Sequence, residues 1–299
     1  MRATQASSTA RVIAASTLLL ASDPRTAAQV APDAAALCRR LLSANRADRW
    51  LAGSAVHPLT RMLWRWVEKL TLPGIISHYW HRKRWIETRC RAAIGEGFTR
   101  VIVLGAGFDT LGLRLAREQP HLEVIEIDHP ATQYAKRRAL EESDDLANPI
   151  PGNLRFVPCD LGAGELPAEL FSDGKYTLFV VEGLLMYLPP AAIDRLFSAL
   201  GVTVCRQPQG QGRRRVVFSF MSIWPDGRSG FRPHSRLVER WLAWRKEPFT
   251  WALEPEAMPY FLAIHRFRML EMARAQELCA AGYAGSPLQG ENMVVCEPA

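Results

Sequence analysis

Strand-like and helix-like segments alternate through the middle of this 299-residue chain, and this alternation constrains its fold more than any other feature. The clearest strand is the Val-Ile-Val-Leu run at residues 101–104, whose unbroken apolar character suits burial on both faces of a parallel sheet. Further strands are predicted at residues 122–127, 154–157, 177–181, 215–220, 267–272 and 293–296, and helices at residues 130–140, 190–200, 258–264 and 273–281. The pattern predicts an α/β fold with a doubly wound, mostly parallel sheet.

The tryptophans lie outside the central part of the predicted sheet. Five of the nine come before residue 86 and four come after residue 223. Aromatic side chains fill cores and also line pockets, and core packing is the simpler explanation for any one of them. We expect a helical N-terminal cap over residues 1–97 and a sheet domain over residues 98–299, with an irregular, aromatic-rich insertion at residues 224–255 that covers a substrate. These parts should form one compact unit.

The net charge of +7 is not spread evenly along the chain. Residues 1–100 carry 16 basic and 6 acidic side chains, whereas residues 101–200 carry 8 basic and 15 acidic ones. Neither a zinc-finger pattern nor an RNA-binding aromatic motif accompanies the basic third, so a nucleic-acid partner is not expected. The basic third is consistent with an anionic small substrate or with brief contact with an anionic surface.

The six cysteines are widely separated and form no C-x-x-C pair, which favours reduced thiols over a disulfide framework or a metal site. An apolar run at residues 12–21 follows two arginines and is similar to a signal peptide, but Ser16 and Thr17 interrupt it and no clear cleavage site follows. An ordinary helix in a cytoplasmic protein is expected. No run approaches the ~18 apolar residues that would insert stably across a bilayer.

In a doubly wound sheet, ligands bind beyond the carboxyl ends of the strands, so the loops that follow the strands should meet at one crevice. The loop after the first strand contains Gly105, Ala106 and Gly107, and glycines let backbone N–H groups approach a ligand closely. A dinucleotide site would have a third glycine where Thr110 stands, and Asp109 would repel a pyrophosphate. The turn alone is weak support for a site, and NAD or FAD is disfavoured.

Three further strand-end loops carry acidic residues. Asp128 or Glu126 lies at the distance from the glycine turn at which such sites hold a ribose, although Asp128 could instead cap the next helix. Asp160 could accept a hydrogen bond from an adenine amino group while Leu161 packs on the ring. Glu182 stands in an apolar segment, where a carboxylate is costly unless it meets a positive partner.

A phosphate-free ligand with an adenine, a ribose, an ammonium and a sulfonium would satisfy these acids together, and S-adenosyl-L-methionine is that ligand. The ordered segments 103–110, 126–130, 160–161 and 182–188, together with Lys136, resemble the leucine carboxyl methyltransferase-like family of class I S-adenosylmethionine-dependent methyltransferases. The resemblance covers residues 78–200 well and the remainder only in pattern.

This resemblance implies a Rossmann-like sheet of seven strands with one antiparallel strand near its end. It implies cofactor contacts from the glycine turn at Gly105, from Asp128, from Asp160 and Leu161, and from Glu182. It also implies an arginine before the glycine strand that holds the methionine carboxylate. For this role we choose Arg82 first and Arg84 second, because a guanidinium grips a carboxylate through two parallel bonds. A solvated basic helix face is the alternative interpretation of these arginines.

Methyl transfer from a sulfonium is an in-line displacement that needs no metal. A carboxylate acceptor needs no base, whereas a hydroxyl would benefit from a histidine, and no spacing singles out His57, His78, His81, His129 or His234. The expected function is O-methylation of a carboxylate or hydroxyl on a small lipophilic metabolite. A non-catalytic cofactor-binding protein and a nicotinamide-dependent oxidoreductase are the alternatives.

Overall fold

Seven strands form the centre of the protein in a computed structural model that describes residues 6–142, 149–171, 174–201, 212–279 and 285–299. They are β1 (Arg100–Leu104), β2 (Glu123–Asp128), β3 (Leu154–Pro158), β4 (Thr177–Val181), β5 (Arg214–Met221), β6 (Phe267–Ala273) and β7 (Glu291–Pro298). The sheet order is β3-β2-β1-β4-β5-β7-β6, and only β7 runs antiparallel to its two neighbours. The expected mostly parallel, seven-stranded sheet is confirmed.

The helices before the sheet are α1 (Ser8–Ser22), α2 (Pro32–Leu41), α3 (Arg46–Val56), α4 (Pro58–Thr71) and α5 (Ile75–Gly95). Those that follow β1 are α6 (Leu111–Glu118), α7 (Pro130–Glu141), α8 (Pro190–Gly201), α9 (Arg236–Arg245) and α10 (Met258–Ile264). Local chemistry explains several starts. Ser7 and Asn45 accept hydrogen bonds from backbone N–H groups in the first turns of α1 and α3, and Pro130 begins α7, where no N–H is needed.

The core lies on both faces of the sheet, as the unbroken apolar run of β1 predicts. Val101 and Val103 point into a cluster shared with α1, α2, α5 and α6, whereas Ile102 and Leu104 point into a cluster shared with α8 and α10. Alternate strand residues face opposite sides of a sheet, so helices on both sides bury this strand completely. The N-terminal helices therefore share a core with the sheet.

Two secondary-structure predictions need correction. The segment at residues 224–251 was expected to be irregular, but it contains α9, whose start is capped by the Ser235 hydroxyl. The helix expected at residues 273–281 is instead the end of β6 followed by a 3₁₀ turn, Ala275–Leu278, and residues 280–284 lie outside the described part of the chain. Pairing of Ala273 with Met293 extends the strand, and periodicity in a short apolar run does not distinguish a strand from a helix.

The apolar run at residues 12–21 lies in α1 and is helical, as expected. Its residues Leu18, Leu19 and Leu20 are buried against the sheet domain. Within the described ranges, no helix has the length and apolar character to cross a membrane. The five described cysteines are free thiols, and Cys205 lies outside the described residues.

Candidate active site

The loops that follow β3, β2, β1 and β4 meet at one cavity of about 930 Å³. Since these strands are adjacent in the sheet in that order, their loops lie side by side over roughly 14 Å, three strand spacings. The cavity is lined in turn by Asp160, by Asp128, by the turn at Gly105 to Asp109, and by Glu182. The fold thus aligns the four acidic loops that the sequence singled out.

The glycine turn has a backbone conformation and close neighbours that disfavour residues with side chains. Gly105 and Gly107 have φ values of +69° and +48°, in the left-handed region that favours glycine. A Cβ on Gly105 would lie 2.9 Å from Leu184, and one on Gly107 would lie 3.1 Å from Ala10 of α1. The turn is therefore closely enclosed between α1 and the loop after β4, with Ala106 buried between its two glycines.

Asp128 faces the cavity from the end of β2. Its Oδ1 accepts a hydrogen bond from the backbone N–H of His129 at 2.6 Å, and its Oδ2 accepts one from the N–H of Gly107. Burial raises the pKa of Asp128, and these two bonds partly offset the rise. The cap of α7 is His129, whose Nδ1 accepts from the Ala131 N–H at 3.3 Å, so Asp128 does not have the capping role considered as its alternative.

Glu126, the other ribose candidate, does not line this cavity. It is buried beneath α6, where a Cβ on Gly112 would come within 2.4 Å of its Oε1, and it forms a salt bridge of 2.6 Å with Lys136 of α7. Burial raises the pKa of Glu126, and Lys136 opposes that rise. Lys136 also donates to the carbonyl oxygen of Asp109 at 2.6 Å. This pair therefore ties α7 to the loop after β1.

Two cations of α5 reach the end of this row that the loops after β1 and β4 form. The Nζ of Lys83 lies 2.8 Å from Asp109 and 3.1 Å from Glu182, and Arg82 lies 2.8 Å from Glu182. Burial opposes both charges, but the facing carboxylates raise the pKa values of Lys83 and Arg82. The pKa of Asp109 falls below its ordinary range because Lys83 outweighs the effect of burial. Glu182 has the positive partners that its apolar setting requires, and Lys83, which we did not select from the sequence, is one of them.

A second buried carboxylate forms an ion pair with Arg82. Glu291 of β7 lies 2.9 Å from Arg82 and 2.7 Å from His78, and both its partners are buried. Burial alone would raise the pKa of Glu291, but Arg82 and His78 lower it to about 2. No local pattern indicates this contact, because Glu291 follows Arg82 by 209 residues.

We expect the substitution Glu291→Gln to make the free energy of unfolding less dependent on pH in the acidic range. The depressed pKa of Glu291 stabilises the folded state above pH 4.5, and that contribution is lost as pH falls toward about 2. The free energy of unfolding, measured with urea across this range, should therefore decline less steeply in the variant. Exposed Glu254→Gln is the control and should keep the wild-type slope; equal slopes for all three proteins would contradict the expectation.

The remaining selected residues are divided between the cavity and the core. Asp160 lines the cavity and accepts from the Gly162 N–H at 3.0 Å, but Leu161 does not line it and packs against the core cluster that the sheet shares with α8 and α10. Arg84 lines the cavity with its guanidinium 5.3 Å from the centre of the Trp80 ring. Among the described residues it has no carboxylate at salt-bridge distance.

The cavity is covered by α1 and by the segment around α9. Apolar side chains from both face it, including Val12, Ile13, Phe231, Trp241, Leu242 and Phe249. The two covers are joined through Glu247, whose carboxylate accepts from the N–H groups of Ser8 and Thr9 at 3.1 and 3.2 Å. Trp224 and Trp251 belong to the same insertion but do not line the cavity. Of the five histidines considered as bases, His129 is the one among the described lining residues.

Comparison with known proteins adds a family assignment. The model of the leucine carboxyl methyltransferase family matches residues 14–201. A protein of Mycobacterium ulcerans, named as a candidate S-adenosyl-L-methionine-dependent methyltransferase, is 35% identical over 164 residues, which is 54% of this chain and 50% of that protein. The Bacillus subtilis protein YktD, named in the same way, is 42% identical over 110 residues, 34% of this chain and 35% of that protein. The chain thus spans half or less of the length of these relatives.

Among solved structures, a candidate methyltransferase from Thermobifida fusca superposes with a TM-score of 0.54 at 16% identity, covering 87% of this chain and 94% of that one. At this identity the likeness concerns the fold alone.

Proposed function

Because the chain belongs to the leucine carboxyl methyltransferase family, we propose that it transfers the methyl group of S-adenosyl-L-methionine to a carboxylate of a small lipophilic acid. The observation that carries this proposal is the division of charge along the four strand-end loops. At one end, Asp109 and Glu182 are paired with Lys83 and Arg82. At the other end, Asp128 and Asp160 form no salt bridge with any described residue.

This division of charge suits the two halves of the cofactor. A ribose and an adenine offer hydrogen-bond donors and no negative charge, so they fit beside Asp128 and Asp160, where phosphate groups would be repelled. The amino-acid half carries both an ammonium and a carboxylate. The mixed cluster at the other end offers Glu182 for the ammonium and Arg82 with Lys83 for the carboxylate. The glycine turn between them brings the backbone close to the ligand.

When bound, the cofactor supplies an electrophilic methyl group on a sulfonium. Glu182 with Arg82 and Lys83 would hold its amino-acid half, and Asp128 with Asp160 its ribose and adenine. The methyl carbon would bond to an oxygen of the acceptor as the carbon–sulfur bond breaks, and the electron pair of that bond would stay on sulfur. The protein orients the two reactants in line and excludes water, and α1 and the segment around α9 cover the cavity for both purposes.

A carboxylate acceptor is favoured over a hydroxyl because two lining residues of the types that often act as bases, Tyr79 and His129, are poorly suited to that role. Burial raises the pKa of Tyr79 to about 12, with Arg82 opposing the rise, so Tyr79 stays protonated at neutral pH. His129 uses Nδ1 to accept from Ala131, so its neutral ring carries the proton on Nε2. Arg84, which faces the cavity without a carboxylate partner among the described residues, is suited to orient an acidic acceptor.

The test is transfer of labelled methyl from the cofactor to a panel of small carboxylic acids and matched alcohols of graded lipophilicity. Esters should form, and their label should be released as methanol by mild base, whereas methyl ethers would retain it. Label that enters only proteins, amines or nucleic acids would refute the proposal. Base-stable label on alcohols would instead support the hydroxyl alternative.

We expect Arg84→Met to raise the KM for acid acceptors by roughly 10- to 100-fold, because one hydrogen-bonded charge pair contributes about 1.5–3 kcal/mol. The kcat should be unchanged or slightly higher, since the acceptor carboxylate loses its charge as it is methylated. Methionine preserves the apolar stem over Trp80. Exposed Arg240→Met on α9, which does not line the cavity, is the matched control. An unchanged KM would remove Arg84 from this role.

Two other functions are distinguished by direct measurements. Binding of NAD with no response to S-adenosylhomocysteine in a titration would establish an oxidoreductase. Binding of S-adenosylhomocysteine without methyl turnover on lysate metabolites would establish a non-catalytic binding protein. We propose that the enzyme acts in the cytoplasm on a small-molecule acceptor and has no nucleic-acid partner.

A further inference from the structure

Helix α4 presents its apolar side to solvent. Six large apolar residues, each at least half exposed, follow one another at helical spacing along that side: Leu59, Met62, Leu63, Trp66, Val67 and Leu70. No residue of α4 is buried. Trp50 of the preceding helix α3 is also 73% exposed. Such a stripe is the reverse of an ordinary surface helix, which turns its apolar side to the core, and continuous exposed patches of this kind mark interaction sites.

Polar contacts on the opposite side of α4 hold it in this orientation. Arg65 lies 3.3 Å from Asp23, in the turn after α1, and 3.2 Å from Glu68. The Oε1 of Glu68 accepts from the N–H of Ile76 at the start of α5, and Arg61 donates to the carbonyl oxygen of Ser22. These bonds reach the end of α1 and the start of α5. The apolar stripe is therefore directed outward by specific contacts.

The exposed charges around the stripe have one sign. On α3 and α4 the exposed charged side chains are Arg46, Arg49 and Lys69. The two carboxylates of these helices are turned inward, since Asp48 pairs with Arg11 at 2.9 Å and Glu68 pairs with Arg65. An outward apolar stripe with tryptophans and surrounding cations is the combination found in helices that lie in the interface of an anionic membrane.

We propose that the exposed side of α4, with Trp50, docks the protein reversibly on the surface of an anionic lipid bilayer. A second copy of this chain fits the same face less well. Like charges would meet across the interface, and a helix of 14 residues is only about 21 Å long and ~10 Å wide, far below the ~800 Å² per partner of a stable dimer. A membrane needs no complementary groove and is complementary in charge.

The chain passes directly from this surface to the candidate active site. Leu72 follows α4 directly and lines the cavity. A protein docked through α4 would hold its cavity close to the bilayer, where lipophilic molecules concentrate. The docking itself depends only on α4 and its surroundings, so it can hold whether or not the proposed function does.

Flotation of the whole protein with vesicles tests the proposal. Wild type should bind vesicles of mixed phosphatidylglycerol and phosphatidylcholine, bind pure phosphatidylcholine at least tenfold more weakly, and lose binding as salt rises. The variant L63S/W66S/L70S should bind anionic vesicles at least tenfold more weakly, because it loses three apolar side chains. The variant R46Q/R49Q/K69Q should lose the preference for anionic lipid.

A matched control replaces exposed apolar residues of another helix, α10, by serine. Tyr260 and Ile264 of α10 are 73% and 61% exposed, so Y260S/I264S should bind vesicles like wild type. Equal midpoints of thermal unfolding for all variants should show that the substitutions remove docking and not folding. The proposal is overturned if wild type does not float with anionic vesicles, or if the α4 variant floats as well as the control. It is also overturned if sedimentation shows a wild-type dimer that the α4 substitutions dissociate.

Discussion

Asp128→Ala should weaken the binding of S-adenosylhomocysteine by about 100-fold, because the two ribose hydroxyl groups that we propose to lie beside Asp128 would lose a charged acceptor, at a cost of roughly 3 kcal/mol. Asp128→Asn keeps one acceptor oxygen, so its affinity for S-adenosylhomocysteine should fall only about tenfold. The alanine variant also frees the N–H groups of Gly107 and His129, so the glycine turn loses one of its supports. Isothermal titration of the purified variants measures the effect.

The control for this prediction is Asp194→Ala. Asp194 is an exposed acid of α8 that pairs with His265 at 3.3 Å, away from the lining residues, and its removal should leave the affinity unchanged. Thermal unfolding of each variant shows whether the fold persists. A wild-type affinity in folded Asp128→Ala would mean that the ribose is held elsewhere and that our placement of the cofactor is wrong.

Lys136→Met should destabilise the protein by about 3–5 kcal/mol at neutral pH, because it leaves the Glu126 carboxylate buried without its partner. Burial already raises the pKa of Glu126, and the substitution removes Lys136, the cation that opposes the rise. A carboxyl whose folded pKa is raised destabilises the folded state as pH increases from its unfolded pKa toward the folded one. The loss in Lys136→Met should therefore be smaller near pH 4 than at pH 8, as measured by urea unfolding.

Two further variants test the cause of this loss. Arg137→Met, one residue away on the exposed side of α7, removes a pair with Glu141 that is about half exposed and should cost less than ~0.5 kcal/mol. The double variant E126Q/K136M removes both charges and should recover much of the lost stability. If the double variant is no more stable than Lys136→Met, the packing of Lys136 and not its charge explains the loss.

The strand-end loops show which residues of the candidate site could be predicted from local sequence patterns. Gly105, Asp128, Asp160 and Glu182 were selected because each follows a predicted strand, and parallel strands end at the same edge of a sheet. That rule requires no knowledge of the strand order, so it placed all four beside one cavity. Leu161 was selected by the same rule, but one residue along a loop is enough to turn a side chain from a cavity to the core.

Local sequence patterns could not predict contacts between segments that are distant in the chain. The partners of Glu182 became identifiable only once α5 was seen to cross the ends of β1 and β4, which brought Lys83 to Asp109 as well. Glu291 reaches Arg82 because β7 returns antiparallel beside β5. Glu247 joins α9 to the start of α1 for a similar reason. Each pairing depends on the arrangement of elements, which no short stretch of sequence contains.

The sequence by itself determined the α/β class, the positions of the central strands and the glycine turn, because these follow from residue spacing over a few positions. Periodicity also gives α4 an apolar and a polar side, but it does not say which side meets the protein. The tertiary structure decided that, through an ion pair and hydrogen bonds to the end of α1 and the start of α5, just as it decided which carboxylates are neutralised and which remain available to a ligand. Burial and charge pairing depend on neighbours in space, and those are set only when the elements assemble.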